Sequence, residues 1–362
     1  MDTIIKIEGA YGESNFGDDL LMNVFENFFV EEFPNSEIYF SGQEADYPEK
    51  ILIKGLYNKK IKEDLLVYGG GTQFFSFSSE NKKRSLFEVI KLSIVNPQFF
   101  FKKVKQKIFR EKAYSKKTAF IGIGLGPFSD NKIYIDYTIN KMISSNFIAV
   151  RDHISKKYCD DWKLNSVLGA DVVFSKYFKQ TFPSVSEKHK AKKKIGIIVR
   201  DWNWDESGNS YVDPLMEVER YSSKYEFEYI IFAPMKDKKW MQKLNGHNVV
   251  MWNPDIDSIQ SFLEKLNDYS GFISARYHGA IIASLLNKPV VCIEIEDKLR
   301  ILTEQVKEFK LWEKPFDKAQ LNSHFDLFET EIDYSASLNA LRESADNMFK
   351  NFKETFQNKY ND

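Results

Sequence analysis

The stretch TIIKIEGAYGESNFGDDLLMNVFENFFVEEF, residues 3–33, contains one complete copy of the pattern that decides the fold. Its first part, TIIKIEGAY, is typical of a β-strand, and the polar run GESNFGDD is typical of a turn. In the remainder, apolar residues recur at spacings of three and four, and Asp18 and Asp19 stand where a helix N-terminus favours acidic side chains. The stretch therefore predicts a strand, a turn and a helix.

Strand-like runs alternate with helix-like runs along most of the chain. In the first half they are SEIYFSG, DLLVYGGGTQFF, KTAFIGIGLGPF, FIAV and the closing SVLGADVVF. In the second half they are IGIIVRDW, YEFEYIIFAPM, HNVVMW, GFISARYHG and PVVCIEI. This alternation predicts mostly parallel sheets with crossover connections. We expect the first glycine-rich strand, DLLVYGGGTQFF, to end in its three glycines, and the second, KTAFIGIGLGPF, to have glycines at its end.

A polar, lysine-rich segment, residues 179–194, separates the two halves and is the best candidate for a linker. The fold class predicted is therefore α/β, with two Rossmann-like domains that face each other across a cleft. We place the N-terminal domain at residues 1–187 and the C-terminal domain at 188–330. Residues 331–362 are expected to form a helical tail that packs back on the N-terminal domain.

Composition excludes several classes of protein. The 362 residues are 43% hydrophobic, enough for two cores, and the formal net charge of -1 argues against a nucleic-acid binder. Cys159 and Cys292 are the two cysteines, too far apart in sequence to suggest a zinc site or a disulfide framework. Neither a signal peptide nor a run of transmembrane length is present, so we expect a cytoplasmic protein.

The glycine-rich turns suggest a ligand site, since open parallel sheets bind ligands beyond the carboxyl ends of their strands. Gly69, Gly70 and Gly71, with Asn15 and Asp18 of the first turn, are the candidate substrate-binding residues in the first domain. The alternative for the three glycines is a tight turn with no ligand. The run GIGLG does not match the GxGxxG dinucleotide fingerprint, and no GxxxxGK[ST] phosphate loop occurs.

Cations and one histidine follow several of the predicted strands. Arg151 follows FIAV, Arg276 and His278 follow GFISA, and Lys298 follows PVVCIEI. If the two domains face each other, these residues converge on a pocket for a small, highly charged anion, and His278 can exchange a proton near neutral pH. The alternative is that each cation forms a structural ion pair, as Arg151 would with Asp152.

With these motifs in order, the chain resembles the polysaccharide pyruvyl transferase family. The resemblance rests on GAYGESNFGDD, LLVYGGGT, FIGIGLGP, VRDHIS, LGADVVF, SARYHGAIIASLLNKPVV and IEDK. It implies a GT-B-like fold and transfer of a pyruvyl group from phosphoenolpyruvate to a sugar as a ketal. It also implies that Arg151, His278 and Lys298 are the catalytic residues, with Arg276 binding substrate. No metal and no further cofactor is expected.

The basic segment PQFFFKKVKQKIFREKAYSKK, residues 97–117, has no counterpart in the family pattern. Basic amphipathic segments can lie on anionic membranes. This one would suit a lipid-linked sugar acceptor at the inner membrane face, whereas the plainer interpretation is a solvated helical hairpin beside the cleft. The sequence leaves the oligomeric state open, a homo-oligomer included.

Two other functions remain compatible with the sequence. A GT-B glycosyltransferase using a nucleotide sugar would share the architecture, but it needs an acidic residue to hold the ribose, and Glu294 or Glu296 would have to take that role. A non-catalytic glycan-binding protein on the same fold is the second alternative. The presence of Arg151, His278 and Lys298 argues against it.

Overall fold

The computed structural model describes residues 3–57, 60–76, 117–129, 132–181, 193–202, 204, 207–221 and 223–357. The basic segment 97–117 lies outside these residues except for Lys117, and so does most of the linker. Within the described part of the chain, no helix combines the length and hydrophobicity that a membrane span requires.

The first domain is built on a parallel sheet of seven strands. They are β1 (Thr3–Glu8), β2 (Ser36–Ser41), β3 (Leu56–Tyr57), β4 (Leu65–Ser76), β5 (Lys117–Phe128), β6 (Phe147–Val150) and β7 (Val167–Leu168). Their order across the sheet is β3-β2-β1-β4-β5-β6-β7, so the direction of winding reverses between β1 and β4. The loops beyond the carboxyl ends of the strands open a crevice at that reversal.

The second domain repeats this topology with six parallel strands. They are β8 (Lys193–Val199), β9 (Tyr225–Ile231), β10 (Val249–Met251), β11 (Gly271–Ser274), β12 (Val290–Ile293) and β13 (Lys310–Trp312). The order is β10-β9-β8-β11-β12-β13, with the reversal between β8 and β11. Two mostly parallel sheets in an α/β architecture confirm the predicted fold class.

Helices connect the strands in both domains. Those in the described residues are α1 (Phe16–Glu32), α2 (Pro48–Ile51), α3 (Lys132–Ile143), α4 (His153–Asp161), α5 (Val212–Tyr221), α6 (Lys238–Lys243), α7 (Ile259–Asn267), α8 (Tyr277–Leu285), α9 (Asp297–Gln305), α10 (Lys318–Ser323) and α11 (Ser335–Gln357). Short 3₁₀ turns lie at Val172–Phe174, Ser207–Asn209 and Phe325–Glu329.

Helix α1 joins the two domains. Its first residue, Phe16, packs against Phe232, Trp252 and Phe262 of the second domain, with ring centroids 4.7–5.0 Å apart. The Phe16 amide also donates to the Phe232 carbonyl at 3.0 Å. Because the first domain's sheet, the second domain and α11 surround it, α1 buries residues on nearly every side. The start of α1 is thereby fixed at the domain boundary.

The last helix, α11, crosses from the second domain to the first. Just before it, the Tyr334 hydroxyl donates to the Lys288 carbonyl at 3.0 Å, within the second domain. Farther along, Phe349 packs on Phe28 of α1 at 4.3 Å between centroids, and Phe352 packs on Phe147 of β6 at 5.6 Å. This helix therefore ties the two domains together.

The predicted end of β4 is wrong. β4 continues past its three glycines, because its backbone stays paired with β5 through Gly71 with Ile123 and through Thr72 with Gly124. β5 spans the predicted run KTAFIGIGLGPF. α8 begins at Tyr277. The Ala280 amide donates to the Arg276 carbonyl at 3.1 Å, which places His278 in the first helical turn.

Candidate active site

A cavity of about 910 Å³ lies where the carboxyl ends of the two sheets face each other. Both domains line it, the first through the ends of β4, β5 and β6 and the second through the residues that follow β8, β9, β11 and β12. Arg151, Arg276, His278 and Lys298 are all among its lining residues. The three cations and the histidine that the sequence analysis expected to converge therefore line the same cavity.

Arg151 directly follows β6 and is almost fully buried. Its Nη1 donates to Oδ2 of Asp171 at 3.2 Å, and its Nη2 donates to Oγ1 of Thr72 at 2.9 Å. Its guanidinium lies 4.3 Å from the centre of the Tyr277 ring in the other domain. Nε is buried without a hydrogen bond to any described group, although Oδ2 of Asp152 is 3.7 Å away.

A glycine makes room for this arginine. A Cβ atom at Gly124 of β5 would lie 2.9 Å from Nη2 of Arg151 and 3.0 Å from Nε. Such contacts are closer than a side chain tolerates, so the backbone of GIGLG serves as a wall for the guanidinium. The run GIGLG does not match the dinucleotide fingerprint, but the contact with Arg151 explains why one of its glycines, Gly124, cannot carry a side chain.

His278 comes from the second domain and meets the first domain on two sides. Its Nε2 is buried and lies 3.4 Å from Oδ2 of Asp171, an ion-pair distance, without a hydrogen bond to any described group. On the Nδ1 side the ring packs over Gly17 of α1, where an added Cβ would be 2.3 Å from Nδ1. The histidine is thus enclosed by groups that only the closed pair of domains supplies.

Asp171 was not among the residues predicted for the site. It is fully buried in the turn that follows β7, and its Oδ1 accepts the Val173 amide at 3.1 Å. Burial raises the pKa of Asp171, but the nearby His278 and Arg151 outweigh burial and hold that pKa below its ordinary value. A sequence signal did exist, since Asp171 stands beyond a strand in LGADVVF.

Lys298 lies in the first turn of α9 and shares a carboxylate with a second cation. Its Nζ is 2.7 Å from Oε1 of Glu296, and Arg200, which follows β8, pairs with the same oxygen. Burial lowers the pKa of Lys298 to about 8, with the charges of Arg200 and Arg151 acting in the same direction and Glu296 opposing. Arg200 was also missed, although it follows a strand as Arg151 does.

Arg276 lines the cavity but is already engaged. Its guanidinium pairs through Nη2 with Asp237, a fully buried carboxylate, and its Nε donates to the Val199 carbonyl at 3.2 Å. The Asp237 carboxylate also accepts the Asp201 amide at 3.0 Å. These contacts fix Arg276 between β8 and β11, so its main role in the structure is to hold the floor of the cavity.

The remaining predicted substrate-binding residues divide into two groups. Asn15, Asp18 and Gly71 line the cavity, and the Asn15 amide donates to Oδ2 of Asp18 at 2.5 Å. Gly69 and Gly70 do not line it. They lie within β4 against α1, where Gly69 accepts a hydrogen bond from the Tyr11 hydroxyl at 3.0 Å.

The cavity is amphipathic rather than simply cationic. Its lining carries eight lysines and arginines against six aspartates and glutamates, so the cationic excess is modest and most of the inner cations are paired. Aromatic side chains from both domains also line it, including Phe75 and Trp204, whose ring centres are 5.6 Å apart. A lining that is both charged and aromatic suits a substrate pair of mixed character.

Comparison with protein families gives a direct assignment. The family model described as "Polysaccharide pyruvyl transferase" matches residues 15–297, more than half of the chain. The chain belongs to the polysaccharide pyruvyl transferase family. The match includes Arg151 and His278 and ends one residue before Lys298, and the resemblance inferred from the sequence motifs is confirmed. No curated protein sequence matches this member of the family.

Solved structures show the same fold in proteins of different sequence. This pyruvyl transferase family member is similar to the UDP-GlcNAc 2-epimerase of Neisseria meningitidis, solved bound to UDP-GlcNAc, with a TM-score of 0.55 and 13% identity over 97% of this chain and 98% of that chain. The UDP-GlcNAc 2-epimerase of Methanocaldococcus jannaschii, solved with UDP-GlcNAc and UDP, gives a TM-score of 0.55 and 12% identity over 97% and 99%. These likenesses confirm the GT-B-like fold.

Proposed function

We propose that the protein transfers the pyruvyl group of phosphoenolpyruvate to two hydroxyls of one sugar in a cell-surface polysaccharide or its lipid-linked precursor. The observation that carries the proposal is the meeting of Arg151 and His278 on one oxygen of Asp171, with Lys298 at the same cavity. Family membership supports a pyruvyl transferase. The donor and the ketal product are our inference.

The donor would lie beside Arg151 and Lys298, which both line the cavity. Phosphoenolpyruvate carries a carboxylate and a phosphate, and Arg151 has a buried Nε that lacks a hydrogen bond among the described groups. Buried donors of this kind normally find a partner, and an anionic oxygen of the substrate would supply it. Lys298 would bind a second anionic group while it stays protonated.

His278 would move the proton that starts the reaction. A protonated His278 donates its proton to C3 of phosphoenolpyruvate, and positive charge develops at C2. The oxygen of a sugar hydroxyl then attacks C2. That hydroxyl returns its proton to His278. The C2–O bond to phosphate then breaks, the second hydroxyl attacks C2, and its proton leaves with the phosphate. Two C–O bonds form, one breaks, and the methylene becomes a methyl group.

The acceptor sugar would lie beside Phe75 and Trp204, which both line the cavity. A cavity of about 910 Å³ is large for a three-carbon donor alone, since sites for drug-sized ligands span roughly 300–1,000 Å³. Trp204 and Phe75 offer apolar ring faces against which the carbon face of a sugar can pack. We place the acceptor there, and we expect the N-terminal domain to supply most of its contacts.

Thermal unfolding with two ligands tests the proposal against the glycosyltransferase alternative. Phosphoenolpyruvate at 100 times its Kd should stabilise the protein by roughly 2.7 kcal/mol, whereas UDP-GlcNAc should not. The ribose-binding acid that the alternative needs is engaged, since Glu294 pairs with Arg300 and Glu296 with Arg200 and Lys298. Stabilisation by UDP-GlcNAc alone would overturn the proposal, and stabilisation by neither ligand would favour a non-catalytic glycan-binding protein.

A further inference from the structure

One carboxylate connects the two residues on which the proposed chemistry depends. Oδ2 of Asp171 lies 3.2 Å from Nη1 of Arg151, in its own domain, and 3.4 Å from Nε2 of His278, in the other domain. Its second oxygen, Oδ1, is held by the Val173 amide. The local hydrogen bond fixes the carboxylate, and the fixed carboxylate leaves one oxygen for the two functional side chains.

We infer that Asp171 is a positioning residue that orients His278 when the two domains close, an inference that rests on the proposed function. A carboxylate beside Nε2 favours the tautomer with its proton on Nε2, which leaves Nδ1 to exchange a proton with the substrate. Nδ1 is on the side of Gly17, and both Gly17 and His278 line the cavity.

The surroundings of His278 make Asp171 the one carboxylate suited to this role among the described contacts. Arg151 faces the same oxygen, so it shares the carboxylate. Tyr277 presents its ring to His278 at 5.5 Å between centres and carries no charge at neutral pH, because burial raises the pKa of its hydroxyl. The net effect of Asp171 on His278 is therefore attractive but moderated by Arg151.

Domain closure is part of the device. Asp171 and Arg151 belong to the first domain and His278 to the second, so separating the domains removes His278 from both Asp171 and Gly17. The proton donor would then acquire its orientation and its tautomer only when the cleft is closed around substrate. This arrangement keeps the acid inactive in an open, solvated cleft.

Nuclear magnetic resonance of the histidine rings tests this inference without an acceptor sugar. The chain has five histidines, and His278→Asn identifies the signals of His278. In the wild-type protein, the ¹⁵N shifts of the neutral ring should report the Nε2–H tautomer. In Asp171→Asn, the share of the Nδ1–H tautomer should rise, and turnover should fall by about 10²-fold or more.

A matched control is available in Asp317, which caps α10 by accepting the Ala319 amide at 2.7 Å and does not line the cavity. Asp317→Asn removes the same charge from a similar cap and should leave the His278 tautomer and turnover unchanged. A wild-type Nδ1–H tautomer would overturn the inference even if Asp171→Asn failed to fold. So would an Asp171→Asn variant whose His278 keeps the wild-type tautomer and turnover. The proposed function fails separately, through a fully active His278→Asn.

Discussion

Gly17 and His278 face each other across the domain boundary so closely that a Cβ atom on residue 17 would lie 2.3 Å from Nδ1 of His278. The same atom would lie 3.1 Å from Cβ of His278, so the whole side chain rests on the glycine. The first turn of α1 and the first turn of α8 therefore determine together where the imidazole sits. The contact links the motif GESNFGDD to the motif RYHG, which are far apart in sequence.

Gly17→Ala should displace His278 without harming the helix, since alanine is favoured over glycine in helices by about 1 kcal/mol. We expect turnover to fall by about 10²-fold, because small errors in placement are costly in proton transfer. Phosphate release from phosphoenolpyruvate, with a panel of p-nitrophenyl hexosides as acceptors, measures the effect. In a His278→Asn background the same substitution should add little, and an equally large additional loss would show that Gly17 acts elsewhere.

Arg151→Lys should weaken phosphoenolpyruvate binding by about 10–100-fold, because lysine provides a point charge in place of a forked donor. Titration calorimetry measures the affinity directly. Arg342→Lys, on an exposed position of α11, is the matched control and should bind as the wild type does. An unchanged affinity in Arg151→Lys would mean that Arg151 serves only to neutralise Asp171.

Lys298 should make donor binding depend on pH. Its pKa is lowered to about 8, first by burial, so the side chain loses its charge as the pH rises through that value. Affinity for phosphoenolpyruvate should therefore decline between pH 7 and pH 9 in the wild type. Lys298→Arg keeps its charge throughout and should show a flatter profile. Lys243→Arg, in an exposed ion pair, is the control and should retain the wild-type decline.

Asp19 should give the stability of the domain interface a pH dependence of its own. This buried carboxylate accepts from Trp252 at 2.8 Å and Tyr47 at 3.0 Å, and burial raises its pKa to about 8, with Asp18 raising it further and Lys236 lowering it. The unfolded chain releases this proton near the ordinary value of 3.8. The free energy of unfolding that Asp19 contributes is thus highest at low pH and falls as the pH rises from about 4 to about 8.

Asp19→Asn removes that titration, so its Tm should vary less between pH 5 and pH 8 than the Tm of the wild type. Asp255→Asn removes an exposed carboxylate that also bridges the domains, at 2.6 Å from Lys50, and should keep the wild-type slope. Equal slopes for the wild type and Asp19→Asn, measured by differential scanning calorimetry, would contradict a raised pKa at Asp19.

The fold was predictable because each strand–turn–helix unit is encoded locally. Apolar periodicity in residues such as Leu20 and Phe28 identifies helices, and short β-branched runs identify strands, without knowledge of the partner element. The position of Arg151, His278 and Lys298 near one another followed from the rule that ligands lie beyond strand ends. These predictions used information within a few residues of each site.

The pairing of those residues could not be predicted in the same way. The contact of Asp171 with His278 joins positions about a hundred residues apart, and its existence depends on how the two domains dock. The engagement of Arg276 by Asp237 is equally non-local. The end of β4 was predicted wrongly for a different reason. A run of glycines can continue the backbone pairing of two strands as easily as it can end a strand. Arg151, Arg276 and Lys298, which were expected to bind an anion, are each already paired with a carboxylate in the folded protein.

The most direct test of the account is the reaction of wild-type protein and His278→Asn with phosphoenolpyruvate and acceptor in D₂O. Wild-type protein should release phosphate and form a ketal whose methyl group carries one deuterium. His278→Asn should melt normally and bind phosphoenolpyruvate, while both signals fall by about 10²–10⁴-fold. His153→Asn, at an exposed histidine, should behave as the wild type does. Wild-type rates of phosphate release and deuterium incorporation in His278→Asn would contradict the central claim.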